Sequence, residues 1–71
     1  MNSPKKLLLS KWTAVKPTLK EKNFLVTKVF PPELPGDRVH MVELEAVYSN
    51  RVMLMDSRAL LDETVWRQGW W

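Results

Sequence analysis

The sequence contains no cysteine, one histidine and only two glycines among its 71 residues. The lack of cysteine excludes disulfide bonds, and with a single histidine it also excludes a zinc site built from these two residue types. Gly36 and Gly69 stand far apart, so the chain has no glycine-rich phosphate-binding loop. A carboxylate-rich calcium loop is missing as well. The sequence therefore predicts a protein without a metal ion or cofactor.

Long apolar runs are also absent. Lys5 and Lys6 precede three leucines in the manner of a signal peptide, but Ser10 ends that run, where a signal peptide needs about seven or more apolar residues. No segment approaches the roughly 20 apolar residues that span a bilayer as a helix. We therefore expect a soluble, cytoplasmic protein with no membrane contact.

Tryptophan is abundant for so short a chain. Three of the four tryptophans lie in the last six residues, and the fourth is Trp12. A chain of this size buries only about 60% of its unfolded surface, so large aromatic side chains must supply much of the core. We expect one small domain over residues 10–71, preceded by a loosely ordered segment over residues 1–9.

Residue periodicity predicts a mainly β fold. Alternation and β-branched or aromatic content favour strands over residues 10–16, 24–30, 39–48 and 51–55. Pro17 is expected to end the first strand, and Thr18 with Glu21 has the form of a capping box for one helical turn that Asn23 closes. Three prolines in residues 31–37 predict a loop.

The second half of the sequence carries turn and cap signals. Ser49 and Asn50 are expected to form a two-residue hairpin connection, since asparagine tolerates positive φ. Asp56 is suited to cap a short helix over residues 57–61, and residues 64–68 are expected to form a second helical turn that Gly69 ends.

These elements predict a small twisted antiparallel meander or partial barrel of three to four strands, with one short C-terminal helix packed on its apolar face. Residues that alternate toward that face, or that lie in the helix above it, form the predicted core: Trp12, Phe24, Val26, Val42, Leu44, Ala46, Tyr48, Leu60 and Trp66.

Charge is distributed unevenly along the chain. Residues 1–30 contain seven lysines and one acid, whereas residues 31–71 contain four arginines and seven acids. Lysines beside exposed aromatic rings suit a single-stranded nucleic acid such as RNA, although no ribonucleoprotein motif is present. In that alternative the binding residues are Lys11, Lys16, Lys20, Lys22 and Lys28.

Catalysis has little support in the sequence. His40 stands in no motif with a nucleophile. Glu43 and Glu45, two residues apart on a strand, are about 6.5–7 Å apart, a spacing that overlaps that of inverting glycosidase carboxylates. A hydrolase nevertheless needs a deep cleft, which so small a domain cannot easily build. We therefore expect a protein that is not an enzyme and takes no small-molecule substrate.

Several segments in order along the chain carry a family resemblance. Residues 10–15, 24–27 and 42–47, then Arg58 with Leu60, and finally residues 66–70 resemble a family of small tryptophan-rich bacterial proteins of unknown function. The resemblance covers roughly residues 7–71. It implies a bacterial, stand-alone protein whose hallmark is its two tryptophan segments, and it implies no activity.

The remaining hypothesis is a protein-interaction or accessory module with a protein partner or a second copy of itself. Tryptophan and arginine are enriched at interface hot spots, and methionines form adaptable apolar patches. Met53 and Met55 would contribute to such a patch if they shared the outer face with Met41; otherwise they complete the second side of the sheet. The predicted partner-binding residues are Trp70, Trp71, Arg67, Met53 and Met55.

Overall fold

One antiparallel sheet of five strands makes up the fold in this computed structural model, which describes residues 4–32 and 40–71. The strands are β1 (Lys11–Thr18), β2 (Glu21–Phe30), β3 (Met41–Ala46), β4 (Val52–Asp56) and β5 (Trp66–Gln68). One α-helical turn, α1 (Pro4–Leu7), precedes them, and a 3-10 turn (Ser57–Leu61) follows β4. The predicted mainly β class is confirmed, but the sheet is open and has five strands where three to four were expected.

The strands lie in the order β4-β3-β2-β1-β5, so β1 to β4 form a meander and β5 returns to pair with β1. In β2 the register shifts between Val26 and Lys28, which moves Val29 to the core face. The two outermost strands of the sheet are therefore β4 and β5.

The connection between β1 and β2 is a tight hairpin turn, and the prediction of a helical turn there is wrong. Leu19 and Lys20 have φ values of 53° and 62°. Positive φ at both central residues matches the right-handed twist of the flanking strands. Pro17 lies within β1, where the register shifts between Thr13 and Thr18, and such irregular positions tolerate proline. The strand therefore continues past the residue expected to end it, and the residue expected to close the helical turn belongs to β2.

The turn between β3 and β4 is longer than predicted. The amide of Ala46 donates to the carbonyl of Arg51 at 2.8 Å, and the five residues 47–51 connect the strands where two were expected. Asn50 has a φ of 62°, the left-handed conformation that was expected of it. Tyr48 lies in this turn and is 67% exposed, so its assignment to the core is wrong. Alternation stops determining burial once β3 has ended at Ala46.

The core lies on one face of the sheet, between the strands and the 3-10 turn. Phe24 and Trp66 meet edge to face, with ring centroids 5.1 Å apart and an interplanar angle of 88°. Val26, Val42 and Leu44 are fully buried beside them. The other predicted core residues also buried here are Trp12, Ala46 and Leu60, and α1 adds Leu7.

The C-terminal segment differs from the two helical turns predicted for it. Asp56 caps the segment Ser57–Leu61 as expected, accepting a hydrogen bond from the Arg58 amide, but the segment is a 3-10 turn. Residues 66–68 are strand β5 rather than a helical turn. β5 forms because its pairing with β1 places Trp66 opposite Ala14 and over Phe24. Tertiary pairing therefore decides the structure of this segment.

The N-terminal segment is packed against the sheet from Leu7 onward. Leu7 is buried, and the amide of Leu9 donates to the carbonyl of Val26 at 2.8 Å. Of the loop predicted over residues 31–37, Pro31 and Pro32 lie outside strands and the rest falls outside the described residues. In the part of the chain that the structure describes, no helix has the length and apolar character needed to cross a bilayer.

Candidate interaction surface

The last three residues fold back over the outer face of the sheet, opposite the core. Gly69 makes the bend with a φ of 93°, a conformation that side-chain-bearing residues rarely adopt. The buried hydroxyl of Thr13 donates to the Gly69 carbonyl at 2.7 Å and accepts from the Trp71 amide at 3.1 Å. The side-chain amide of Asn23 donates to the same hydroxyl at 3.2 Å. The tail is therefore fixed in place by two strands.

Both terminal indoles have their N–H groups bonded inside the chain. Trp70 donates through Nε1 to the Phe24 carbonyl at 2.9 Å, and Trp71 donates to the Gln68 carbonyl at 2.8 Å. The side chains nevertheless remain 44% and 60% exposed. What they offer to a partner is the apolar face of the ring, held in one orientation.

Two cations lie against these rings. The Nζ of Lys11 is 4.8 Å from the ring centroid of Trp70, and the guanidinium carbon of Arg67 is 3.7 Å from that of Trp71. Both distances fall within the range of cation–π attraction. Within residues 4–32 and 40–71 neither cation pairs with a carboxylate. These four residues, which we name the tail surface, are thus positively charged, aromatic and exposed.

The tail also occupies the outer edge of β5. The hydrogen bonds from Gly69 to Lys11 and from Val15 to Val65 fix the alternation of this pairing. Because hydrogen-bonded pairs alternate in antiparallel strands, the backbone of Trp66 and of Gln68 points away from β1. The Trp66 amide donates to the Asp62 carbonyl at 2.9 Å, and the Gln68 carbonyl accepts the Trp71 indole. Two of the four outward groups of β5 are therefore bonded within the chain, and a further strand would have to displace these contacts.

The lysines predicted for nucleic-acid binding are not gathered on one face. Lys11 joins the tail surface, and Lys28 lies on the same outer face but on the neighbouring strand β2, where it pairs in register with Glu43. Lys20 lies in the β1–β2 turn, and Lys22 alternates with Phe24 toward the core side. Lys16 lies in the stretch of β1, between Thr13 and Thr18, over which the register with β2 shifts.

The two glutamates of the hydrolase alternative lie on the outer face, each with its own partner. The Thr27 hydroxyl donates to Glu43 at 2.8 Å, and the Asn50 side chain donates to Glu45 at 2.9 Å. Neither contributes to the groove of about 630 Å³ between the 3-10 turn and β5, which is lined by Trp12, Leu60 and Trp66 with a polar rim. Among the described residues no group of three histidine, aspartate or glutamate side chains could hold a metal ion.

Met53 and Met55 face the core side of β4, where they are half-buried against the core cluster, whereas Met41 is exposed on the other face. They therefore do not form an outer patch with Met41. Met53 and Met55 instead lie where the second of the two predicted placements put them, on the core side of the sheet.

An ion pair between the buried Glu21 and the half-exposed Arg51 was not foreseen from the sequence. Glu21 is 3% exposed, and its two carboxylate oxygens share the Arg51 Nε–H at 2.9 and 3.0 Å. It also accepts hydrogen bonds from a second guanidinium nitrogen of Arg51 and from the Ser49 hydroxyl. Hydrogen bonds from Arg51 and then Ser49 hold the pKa of the Glu21 carboxyl below its usual value, and the same contact raises the pKa of Arg51. The pair fastens the β3–β4 turn to the start of β2. The sequence offers little to predict this pair: Glu21 follows the β1–β2 turn, and Arg51 follows the β3–β4 turn.

A family match covers almost the whole chain. Residues 10–71 match the model of a family described as "Tryptophan-rich protein (DUF2389)", and no function is assigned to that family. The resemblance found in the sequence is therefore confirmed. Neither curated proteins nor solved structures include a match to the chain.

Proposed function

From the premise that the chain belongs to the tryptophan-rich family DUF2389, we propose that it is a non-catalytic module that binds a protein partner through the tail surface. The observation that carries the proposal is that Trp70 and Trp71 are exposed while their N–H groups are bonded within the chain. A partner gains the ring faces without first having to satisfy these polar groups.

The contacts that the tail and its rings make within the chain also favour binding. Thr13 holds the tail backbone, and the cations of Lys11 and Arg67 lie against the rings. Ordering a free side chain costs about 0.5–1.5 kcal/mol on association, and much of that cost has been met here before a partner arrives. Tryptophan and arginine are also the residue types that most often dominate binding energy at protein interfaces.

The charge pattern favours a protein over a nucleic acid. A phosphate backbone needs a continuous track of cations. On the outer face the cations near the tail are followed, two strands away, by the acids Glu43 and Glu45. A partner surface with both acidic and apolar groups matches the tail surface better than a uniformly anionic strand does.

Affinity capture from a native lysate tests the proposal when it is run with and without nuclease. We expect one stoichiometric protein that survives nuclease and moderate salt with the unchanged chain, and that is lost with the double variant Trp70→Ala/Trp71→Ala. Tyr48→Ala is the matched control, because this side chain is an exposed aromatic that lies outside the tail surface. Circular dichroism of each variant establishes that the fold is retained.

Two outcomes would contradict the proposal. Loss of all captured material on nuclease treatment, with binding to a single-stranded RNA that weakens steeply as salt rises, would assign the surface to nucleic acid. A captured protein that the tail variant retains as well as Tyr48→Ala does would place the contact elsewhere on the molecule.

A further inference from the structure

The outer edge of β4 is open. The hydrogen bonds from Ala46 to Arg51 and from Ser57 to His40 fix the alternation of the β3–β4 pairing. The N–H and C=O groups of Val52 and Leu54 therefore point away from β3. Within residues 4–32 and 40–71 no group bonds to them.

This edge also lacks the usual protection against pairing. Exposed edge strands commonly carry lysine, proline or a bulge, which discourage association. β4 has none of these, and its register with β3 is regular. Its outer side chains, Val52 and Leu54, are 50% and 63% exposed. A strand of this kind is a template for another strand.

We propose that β4 pairs antiparallel with β4 of a second copy of this chain, so that the two sheets form one continuous ten-stranded sheet. The two-fold axis passes beside Met53. The outward N–H and C=O groups of Val52 bond to those of Leu54 in the second copy, and those of Leu54 bond to Val52 of the second copy. This register satisfies every outward backbone group of these two residues. The site is distinct from the tail surface, and the inference does not depend on the proposed function.

The side chains of β4 are self-complementary in this arrangement. On the outer face Val52 lies opposite Leu54 of the second copy, and on the core face Met53 lies opposite Met53. Apolar side chains therefore meet on both faces, which is the pairing that stabilises a sheet. Arg51 precedes the strand and Asp56 ends it, but each forms an ion pair within its own chain. The contact between the copies therefore depends on backbone hydrogen bonds and apolar side chains.

The other edge of the sheet explains why assembly stops at two copies. A chain with two open edges would continue into a fibre, whereas a two-fold contact uses the same edge of each copy and closes. At β5 the Asp62 carbonyl and the Trp71 indole bond to two of the four outward groups, and a further strand would have to displace them. Each copy thus has one edge for pairing.

Cysteine cross-linking tests the register, because the natural chain has no cysteine. A non-hydrogen-bonded antiparallel pair has its Cα atoms about 4.5 Å apart, within the roughly 4.4–6.8 Å of disulfides. We expect Met53→Cys to form a disulfide-linked dimer at least about tenfold faster than Leu61→Cys, since pairing raises the effective thiol concentration. Leu54→Cys is the control on the same strand, because it faces Val52 and not itself. Equal rates for Met53→Cys and Leu61→Cys, or a faster rate for Leu54→Cys, would overturn the proposal.

Sedimentation of the unmodified chain provides a measurement that needs no variant. We expect a monomer–dimer equilibrium in which dimerisation slows hydrogen exchange of the Val52 and Leu54 amides. Leu54→Lys should raise the dimer dissociation constant by at least about tenfold. Val47 is an apolar residue of the β3–β4 turn and is 47% exposed, so Val47→Lys should leave the dimer dissociation constant unchanged. A monomer at every concentration, or a dimer that Leu54→Lys leaves intact, would refute the pairing.

Discussion

The two edges of the sheet present the same backbone chemistry in different states. At β5 the chain bonds to two of its own four outward groups, through the Asp62 carbonyl and the Trp71 indole. At β4 the corresponding groups of Val52 and Leu54 have no partner within the described residues. An unpaired strand edge invites association, and a protein can either cover it or use it. This molecule uses tryptophan side chains at the β5 edge, whereas the β4 edge is apolar and open.

The largest expected effect comes from removing the anchor of the covered edge. Trp66→Ala deletes the ring that meets Phe24, and truncation of a buried aromatic costs about 3–5 kcal/mol. Since small domains have little stability in reserve, we expect the urea midpoint to fall sharply. Trp71→Ala, at the exposed end of the same edge, should cost less than about 1.5 kcal/mol. Equal losses would mean that the edge depends on its surface rather than on its core.

A smaller loss is expected when the tail is released from the sheet. Thr13→Val keeps the shape of the side chain but removes the hydroxyl that bonds to Gly69, Trp71 and Asn23. Buried polar groups left without a partner cost about 1–3 kcal/mol. Urea denaturation measures the loss, and faster hydrogen exchange of the Trp71 amide locates it. Thr18→Val, on the exposed end of β1, is the control and should have little effect. Unchanged exchange at Trp71 would show that the hydroxyl does not hold the tail.

The bend of the tail should be sensitive to a single methyl group. Gly69→Ala places a Cβ at a φ of 93° and 3.4 Å from Nε1 of Trp71. Left-handed backbone at a residue with a side chain costs about 1–2 kcal/mol. We expect a matching fall in the free energy of unfolding, while Gln68→Ala, one residue earlier and exposed, stays near the parent. An alanine variant as stable as the parent would contradict the strain assigned to this turn.

The smallest expected effect on the free energy of unfolding comes from Glu21, which holds the β3–β4 turn next to the open edge, and it is seen as a dependence on pH. The folded pKa of Glu21 is lowered from 4.5, so its contribution to stability is present above that value and is lost as pH falls through the folded pKa. Asp56 and Asp62, whose pKa values are also lowered, add to the same acid loss. Urea titrations from pH 7 to about pH 3 should show a fall in stability that Glu21→Gln flattens. A Gln variant with the full pH dependence of the parent would remove Glu21 from this role.

Strand β3 was predictable because its apolar residues alternate, and β2 and β4 were predictable because they are dense in β-branched, aromatic and other apolar residues. The cap at Asp56 was predictable for a local reason, since an aspartate before a turn bonds to the amide two residues later. β5 was not predictable. It is only three residues long, and it forms by pairing with a strand more than fifty positions away. The tight turn at Leu19 and Lys20 lacks the glycine or asparagine that marks such turns.

The candidate site was predictable in its residue types but not in its construction. Trp70 and Trp71 were predicted as partner-binding residues, and both are exposed. Nothing in the residue pattern indicated that Thr13 would bind the tail or that Arg67 would stack on Trp71. Met53 and Met55 were placed on the outer face by one of two readings, because period-two alternation alone cannot say which face of an edge strand is inward.

The pairing of β5 with β1 has a consequence for how fast the sheet can form. The hydrogen bond from Trp71 to Thr13 joins residues 58 positions apart. Contacts of such long range slow folding, because the chain loses loop entropy before it gains the contact. We therefore expect the β1–β5 pairing to form last, after the β1–β2, β2–β3 and β3–β4 hairpins, whose strands are neighbours in sequence.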